Sequence, residues 1–173
     1  MENGIMKYGF PPIADGGAKI LILGSLPSVL SIEKRQYYGN PQNHFWRILY
    51  ALFGREPDAG YEDRKNFMHS KKIALWDSIA TASNPGSLDG DIKNIVPNDF
   101  DRFFAGHPFI GHVFFNGSKS EQVFRKYFPS YYGSIPHTRL PSSSPIPTPK
   151  NRNLEEKLEN WKIVKEVWDR LNE

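Results

Sequence analysis

Short apolar runs that alternate with helix-patterned segments predict an α/β fold, a mostly parallel sheet covered by helices on both faces. The first run, Lys19-Ile20-Leu21-Ile22-Leu23, is stopped by Gly24 and has the continuous apolar character of a strand buried on both faces. Ile73-Ala74-Leu75-Trp76 and His112-Val113-Phe114-Phe115 repeat the pattern, the latter ending in Asn116-Gly117, and a weaker run lies at 135–140. Phe45, Trp46, Leu49, Leu52 and Phe53 recur at helical spacing, with Asn43 as the expected N-cap. Ser118-Lys119-Ser120-Glu121 reads as a capping box that opens a helix carrying Val123, Phe124 and Tyr127. Near the carboxyl end, Leu154, Leu158, Trp161, Val164, Trp168 and Leu171 form an apolar stripe, with Glu166 and Arg170 placed to pair on the outer face. The stripe reads as core packing; a partner-binding groove is the alternative.

Composition narrows the class. The 173 residues are 39% hydrophobic, 14% aromatic and 24% charged, the profile of one globular domain over 1–173. No internal repeat or low-complexity segment suggests a solenoid. The absence of cysteine excludes disulfides, thiolate catalysis, Cys-ligated zinc and iron–sulfur clusters. No apolar run approaches the ~20 residues a bilayer requires, and the amino-terminal residues lack the pattern of a signal peptide. The expectation is a soluble, cytoplasmic protein with no membrane partner. A net charge of +3, with a pI near 9.0, is compatible with nucleic acid and equally with ordinary solubilising charge. The five histidines lack metal-site spacing, and there is no Gly-x-Ser-x-Gly elbow, Walker A loop or Gly-x-Gly-x-x-Gly turn.

In a fold of this kind, ligands bind where loops leave the carboxyl ends of the strands. The first such loop is Gly24-Ser25-Leu26-Pro27-Ser28, where Gly permits close approach of backbone to a ligand and Pro fixes the path. A tight turn without a ligand would look the same. Next comes Gln36-Tyr37-Tyr38-Gly39-Asn40-Pro41-Gln42-Asn43-His44-Phe45-Trp46, whose rings suit stacking on a flat base and whose amides can read a base edge or hold a water. Its bland reading is a hydrophobic staple before the helix. Leu140-Pro141-Ser142-Ser143-Ser144-Pro145-Ile146-Pro147 clusters hydroxyls between prolines, suited to phosphate oxygens. A linker would share this composition but needs a second domain to join. Asp77, at a strand end, is a capping residue or a general base; Asp89 and Asp91 read as turn and helix-start residues.

Taken in order, Gly24-Ser25-Leu26-Pro27-Ser28, Gln36-Tyr37-Tyr38-Gly39-Asn40-Pro41 through Phe45-Trp46, Ala74-Leu75-Trp76-Asp77, Gly86-Ser87-Leu88-Asp89, Phe115-Asn116-Gly117 and Leu140-Pro141-Ser142-Ser143-Ser144-Pro145 resemble the uracil-DNA glycosylase superfamily. The match is to its hypoxanthine-DNA glycosylase (DNA-deoxyinosine glycosylase) branch and covers about 19–161. The resemblance implies a three-layer α/β/α sandwich around a four-stranded parallel sheet. It also implies monofunctional, cofactor-free cleavage of the N-glycosidic bond of a deaminated base in DNA, hypoxanthine first and uracil or xanthine after it. Two departures matter. Better known superfamily members place Asp or Asn in the first loop, where this chain has Leu26, and a His in the last loop, where this chain has Leu140.

The resemblance therefore shifts the water-positioning role to Asn40, whose carbonyl oxygen can align a water although an amide is no general base. It implies a base pocket of Gly24, Ser25, Leu26, Tyr38, Phe45, Asp77 and Asn116, with Tyr38 or Phe45 as the stacking wall, Asn116 as a donor to the leaving purine, and Asp77 where relatives hold a base-reading Asn. Pro27, Ser28, Lys119, Pro141, Ser142, Ser143 and Ser144 would grip the flanking DNA. A monomer is the expectation. Two rival readings stand beside this one. A non-catalytic nucleic-acid-binding domain is favoured by the missing standard polar groups; a nucleoside hydrolase is disfavoured by the absence of an Asp-x-x-x-Asp-Asp calcium cluster.

Overall fold

A computed structural model describes residues 6–83 and 92–173; the motif at 86–89 and Asp91 lie outside the described residues. The expected parallel sheet is present. Strands β2 (Ile20–Gly24), β3 (Ile73–Asp77), β6 (His112–Asn116) and β7 (His137–Leu140) form it in the order β3-β2-β6-β7, every pairing parallel. Ile20, Leu21, Ile22 and Leu23 are all fully buried. Successive strand residues face opposite ways, so both sides of β2 are covered. Helix α5 (Ser118–Tyr127) packs against β2, β6 and β7, and α3 (Tyr61–Ser70) against β3. Helices α2 (Phe45–Ala51) and α7 (Leu154–Leu171) pack on each other, with Phe45 edge-on to Trp161 at 6.0 Å. Phe100 of α4 (Phe100–Gly106) meets Trp76 and Phe124 at 5.0 Å each. Two shorter helices, α1 (Val29–Lys34) and α6 (Pro129–Ser134), complete the set.

A second sheet was not expected. β1 (Met6–Tyr8), β4 (Ile79–Ser83) and β5 (Lys93–Pro97) pair antiparallel in the order β1-β4-β5. Only Ser78 separates β3 from β4, so the chain leaves one sheet and enters the other at one buried residue, whose Oγ donates to the Ser120 carbonyl at 2.8 Å. Ile79, Ala82, Ile92 and Val123 form a small separate core beneath this sheet, and Leu26 packs against it.

Three local expectations are corrected. The N-cap of α2 is His44, and Asn43 instead accepts the Phe45 amide at 2.9 Å. α5 begins at Ser118 itself behind Gly117, whose φ of 90° favours glycine. The expected capping box is therefore absent; Glu121 receives the Tyr132 hydroxyl at 3.1 Å and lies 3.6 Å from Arg139. Within α7 the ion pairs formed are Lys162–Glu159 at 2.5 Å and Lys165–Asp169 at 2.6 Å rather than Glu166–Arg170. The stripe expected there is core, with Trp161, Val164 and the additional Val167 buried. No helix among the described residues is long and apolar enough to cross a membrane.

Candidate active site

From β2 the chain steps to β3 on one side, while β6 lies on the other, so the strand order reverses at β2–β6. Crevices form where such a reversal sends neighbouring loops apart. A cavity of about 400 Å³ opens there, within the size range that holds a drug-sized ligand. The first loop from Gly24 to Ser28, Tyr38, Asn40, Asp77, Asn116 and Ser142 to Ser144 all border it. Residues from five separate stretches of chain thus converge on one cavity.

The floor is Gly24. A Cβ there would stand 2.6 Å from Asp77 Oδ1 and 2.9 Å from the Tyr38 hydroxyl, so only glycine lets these two groups meet over the strand end. Asp77 is buried, and after it the amides of Ser78 and Ile79 donate to the Gly24 and Ser25 carbonyls at 2.8 and 3.2 Å. Asn98 Nδ2 holds the Asp77 carbonyl at 2.7 Å. Tyr37, which also lines the cavity, has its pKa raised well above the usual tyrosine value, first by burial and then by the Asp77 charge.

Tyr38 forms a wall in a left-handed conformation at φ 52°. Its ring stacks on Phe45 with centroids 4.1 Å apart and planes 21° apart. Phe45 itself is fully buried and does not border the cavity, so its expected place in the base pocket is corrected: it backs Tyr38 from the core side. Asn116 Nδ2 donates to the Tyr38 hydroxyl and to Ser143 Oγ, both at 2.9 Å, and Asn116 Oδ1 accepts the Ser143 amide at 2.9 Å. An amide has two N–H bonds to give, and protein acceptors take both. Asn116 thus pins Tyr38 to the last loop, and the donor role expected for it toward a leaving base is already spent.

Asn40 is half-buried at the cavity; its Oδ1 accepts the Gln42 amide at 2.9 Å, which fixes the side chain and leaves the oxygen a second lone pair. The last loop is held throughout. Trp161 Nε1 donates to the Pro141 carbonyl at 2.8 Å, Asn151 Nδ2 to that of Ser142 at 2.8 Å, and the His44 amide to that of Ser143 at 3.1 Å. Ser143 is fully buried and cannot reach a phosphate, which corrects its expected DNA contact. Ser142 is exposed and Ser144 half-buried. Pro141 and Lys119 lie outside the cavity; Lys119 sits in the first turn of α5, whose cap Gly117 lies beside Ser142. Pro27 is buried, and Ser28 spends its Oγ capping α1 by accepting the Ser31 amide at 3.2 Å.

Several site residues escaped the sequence. Phe10, Asn43 and Ile146 border the cavity, and Ile146 stands 54% exposed at its rim between two prolines. Lys157 is buried behind it. Its position three after Leu154 and four before Trp161 places a charge in the apolar stripe, a signal that could have been read. Among the described residues no three His, Asp or Glu side chains converge as metal ligands would.

No protein-family model matches the chain. A Methanosarcina barkeri protein named hypoxanthine DNA glycosylase is 42% identical over 115 residues, which is 66% of this chain and 73% of that protein. A Methanosarcina acetivorans protein of the same name is 40% identical over 142 residues, 81% of this chain and 87% of that protein. A solution NMR structure of a candidate uracil DNA glycosylase from Methanosarcina acetivorans aligns with a TM-score of 0.79 at 35% identity, covering 98% of this chain and 100% of that one. With the pocket at the sheet's switch point and this likeness along most of its length, the chain belongs to the hypoxanthine-DNA glycosylase family.

Proposed function

We propose that the protein is a monofunctional DNA glycosylase, acting as a monomer, that hydrolyses the N-glycosidic bond of deoxyinosine flipped out of DNA and so initiates base excision repair. The observation that carries this reading is the pairing, across one cavity of about 400 Å³, of Asn40 with a buried Asp77 over Gly24. A flipped purine enters edge-first toward Asp77. Hypoxanthine offers its N1–H to a carboxylate oxygen, whereas adenine presents a lone pair at N1 and is repelled. Uracil, with an N3–H, is a smaller second substrate.

Asn40 aligns a water beneath C1′. The C1′–N9 bond breaks early, the purine leaves with the bonding pair, and water oxygen bonds to C1′ while its proton goes to solvent or the departing base. Such a dissociative step needs an oriented water more than a strong base. With Asn116 committed elsewhere, the donors for the leaving base come from the first loop, whose Ser25 and Leu26 border the cavity. Ser142, with Lys119 and the first turn of α5, faces the flanking phosphates. Ile146 fills the stack that the flipped base vacates, an apolar wedge at the pocket rim.

The experiment is excess protein in EDTA on labelled duplexes carrying one inosine, xanthine, uracil or adenine, with alkali to break abasic sites. Cleavage of the inosine duplex with adenine untouched is the expected result; binding without cleavage of any duplex would establish a non-catalytic domain instead. Asp77→Asn should slow inosine cleavage by about a hundredfold and narrow the preference for inosine over adenine in the same assay, because an amide can offer a donor where the carboxylate offered only acceptors. Ile146→Ala should slow cleavage of duplex about tenfold while sparing a single-stranded inosine oligomer, which needs no wedge.

A further inference from the structure

Lys157 is fully buried in α7, yet among the described residues no carboxylate lies within ion-pair distance of it. Burying an amine without a counter-charge is costly, and an apolar side chain would suit the stripe between Leu154 and Trp161 better. What its Nζ does is bridge. It donates to the Ser144 carbonyl at 2.8 Å and meets His44 Nδ1 at 3.1 Å, while the His44 amide holds the Ser143 carbonyl at 3.1 Å. His44 ends the segment that carries Asn40, and Ser144 belongs to the loop across the cavity.

We infer that Lys157 is a positioning residue for the reaction: it clamps the Asn40–His44 segment to the Ser142–Ile146 loop and so sets the distance between the aligned water and the gripped DNA strand. This rests on the glycosylase reading above. His44 has its pKa lowered from the ordinary value by burial, then by Lys157 and by Arg47. The ring is therefore neutral around pH 7 and Nδ1 is an acceptor for Nζ. Lys157 is itself shifted down, by burial first and then by Arg47. Arg47 is tied to the Pro41 carbonyl at 3.4 Å, on the same segment.

The test is Lys157→Met, which keeps the aliphatic stem and removes both bonds. The melting temperature should stay within about 4 °C of wild type and duplex affinity within about threefold, while the single-turnover rate on inosine duplex falls about tenfold or more. Amide exchange in a peptide covering 140–148 should rise in the free protein. A wild-type rate and unchanged exchange would overturn the inference. Should Lys157→Met fail to fold, His44→Leu cuts the clamp from the other side while leaving Lys157 on Ser144; a wild-type rate in that variant would overturn it as well. Exchange is read without substrate, so wild-type protein inactive on every duplex would sink the glycosylase reading alone, and the clamp would stand or fall on exchange.

Discussion

Asn40→Ala is expected to lower single-turnover cleavage of inosine duplex by about a hundredfold or more while leaving the fold and duplex affinity intact. The side chain is half-buried at the cavity, and its hydrogen bond is to the Gln42 amide two residues on, so its loss disturbs one turn and no core contact. Where the resemblance leads one to expect a water-holding Asp or Asn in the first loop this chain has Leu26, which packs against the small core beneath the antiparallel sheet. An Asn40→Asp variant should retain activity, because a carboxylate also offers an oxygen at this place. A quenched-flow time course with both variants checks the pair of outcomes, and full activity in Asn40→Ala would remove Asn40 from the reaction.

Gly24→Ala is the second large effect. The added methyl must enter a gap where Asp77 Oδ1 stands 2.6 Å and the Tyr38 hydroxyl 2.9 Å from its ideal position. Neither neighbour yields cheaply. Tyr38 is held by Asn116 and stacked on fully buried Phe45, and Asp77 is fixed at the end of β3, its backbone bonded to Asn98. Overpacking of this kind costs about 1–3 kcal/mol of stability. Because the displaced groups are the pocket floor and wall, cleavage should fall below detection even at temperatures where the variant is folded. Denaturant unfolding and the duplex assay on one preparation separate the two effects. A fully active Gly24→Ala would mean that Asp77 and Tyr38 take no part in holding the base.

The central sheet was legible because β2, β3 and β6 are continuous apolar runs stopped by Gly24, Asp77 and Asn116, a pattern that burial on both faces imposes, whereas β7, His-Thr-Arg-Leu at the sheet edge, left only a weaker run. The antiparallel sheet was not. β4 follows β3 after a single residue, so 73–83 carries no turn signal, and β5 holds Asn94 at φ 55° and ends in Pro97. The loops that form the pocket could be found from their place at strand ends, and Gly24, Asn40, Asp77 and Ser142 all border it. Within a loop the direction of each side chain could not be read. Ser142, Ser143 and Ser144 are alike in sequence, yet only the middle one turns inward to Asn116. Phe45 looks as fit as Tyr38 to meet a base; its place in the first turn of α2 puts it under the wall instead. Phe10 lies ahead of the first recognisable strand, where nothing local marks it.

The most direct test of the account is the fate of both products when protein in excess meets a duplex with one inosine, in EDTA and sodium borohydride. Hydrolysis by an oriented water predicts one free hypoxanthine for each alkali-labile site and no protein–DNA adduct. A borohydride-trapped adduct would show attack on C1′ by an amine of the protein and contradict the role given to Asn40, and an intact duplex with no hypoxanthine released would contradict the glycosylase itself.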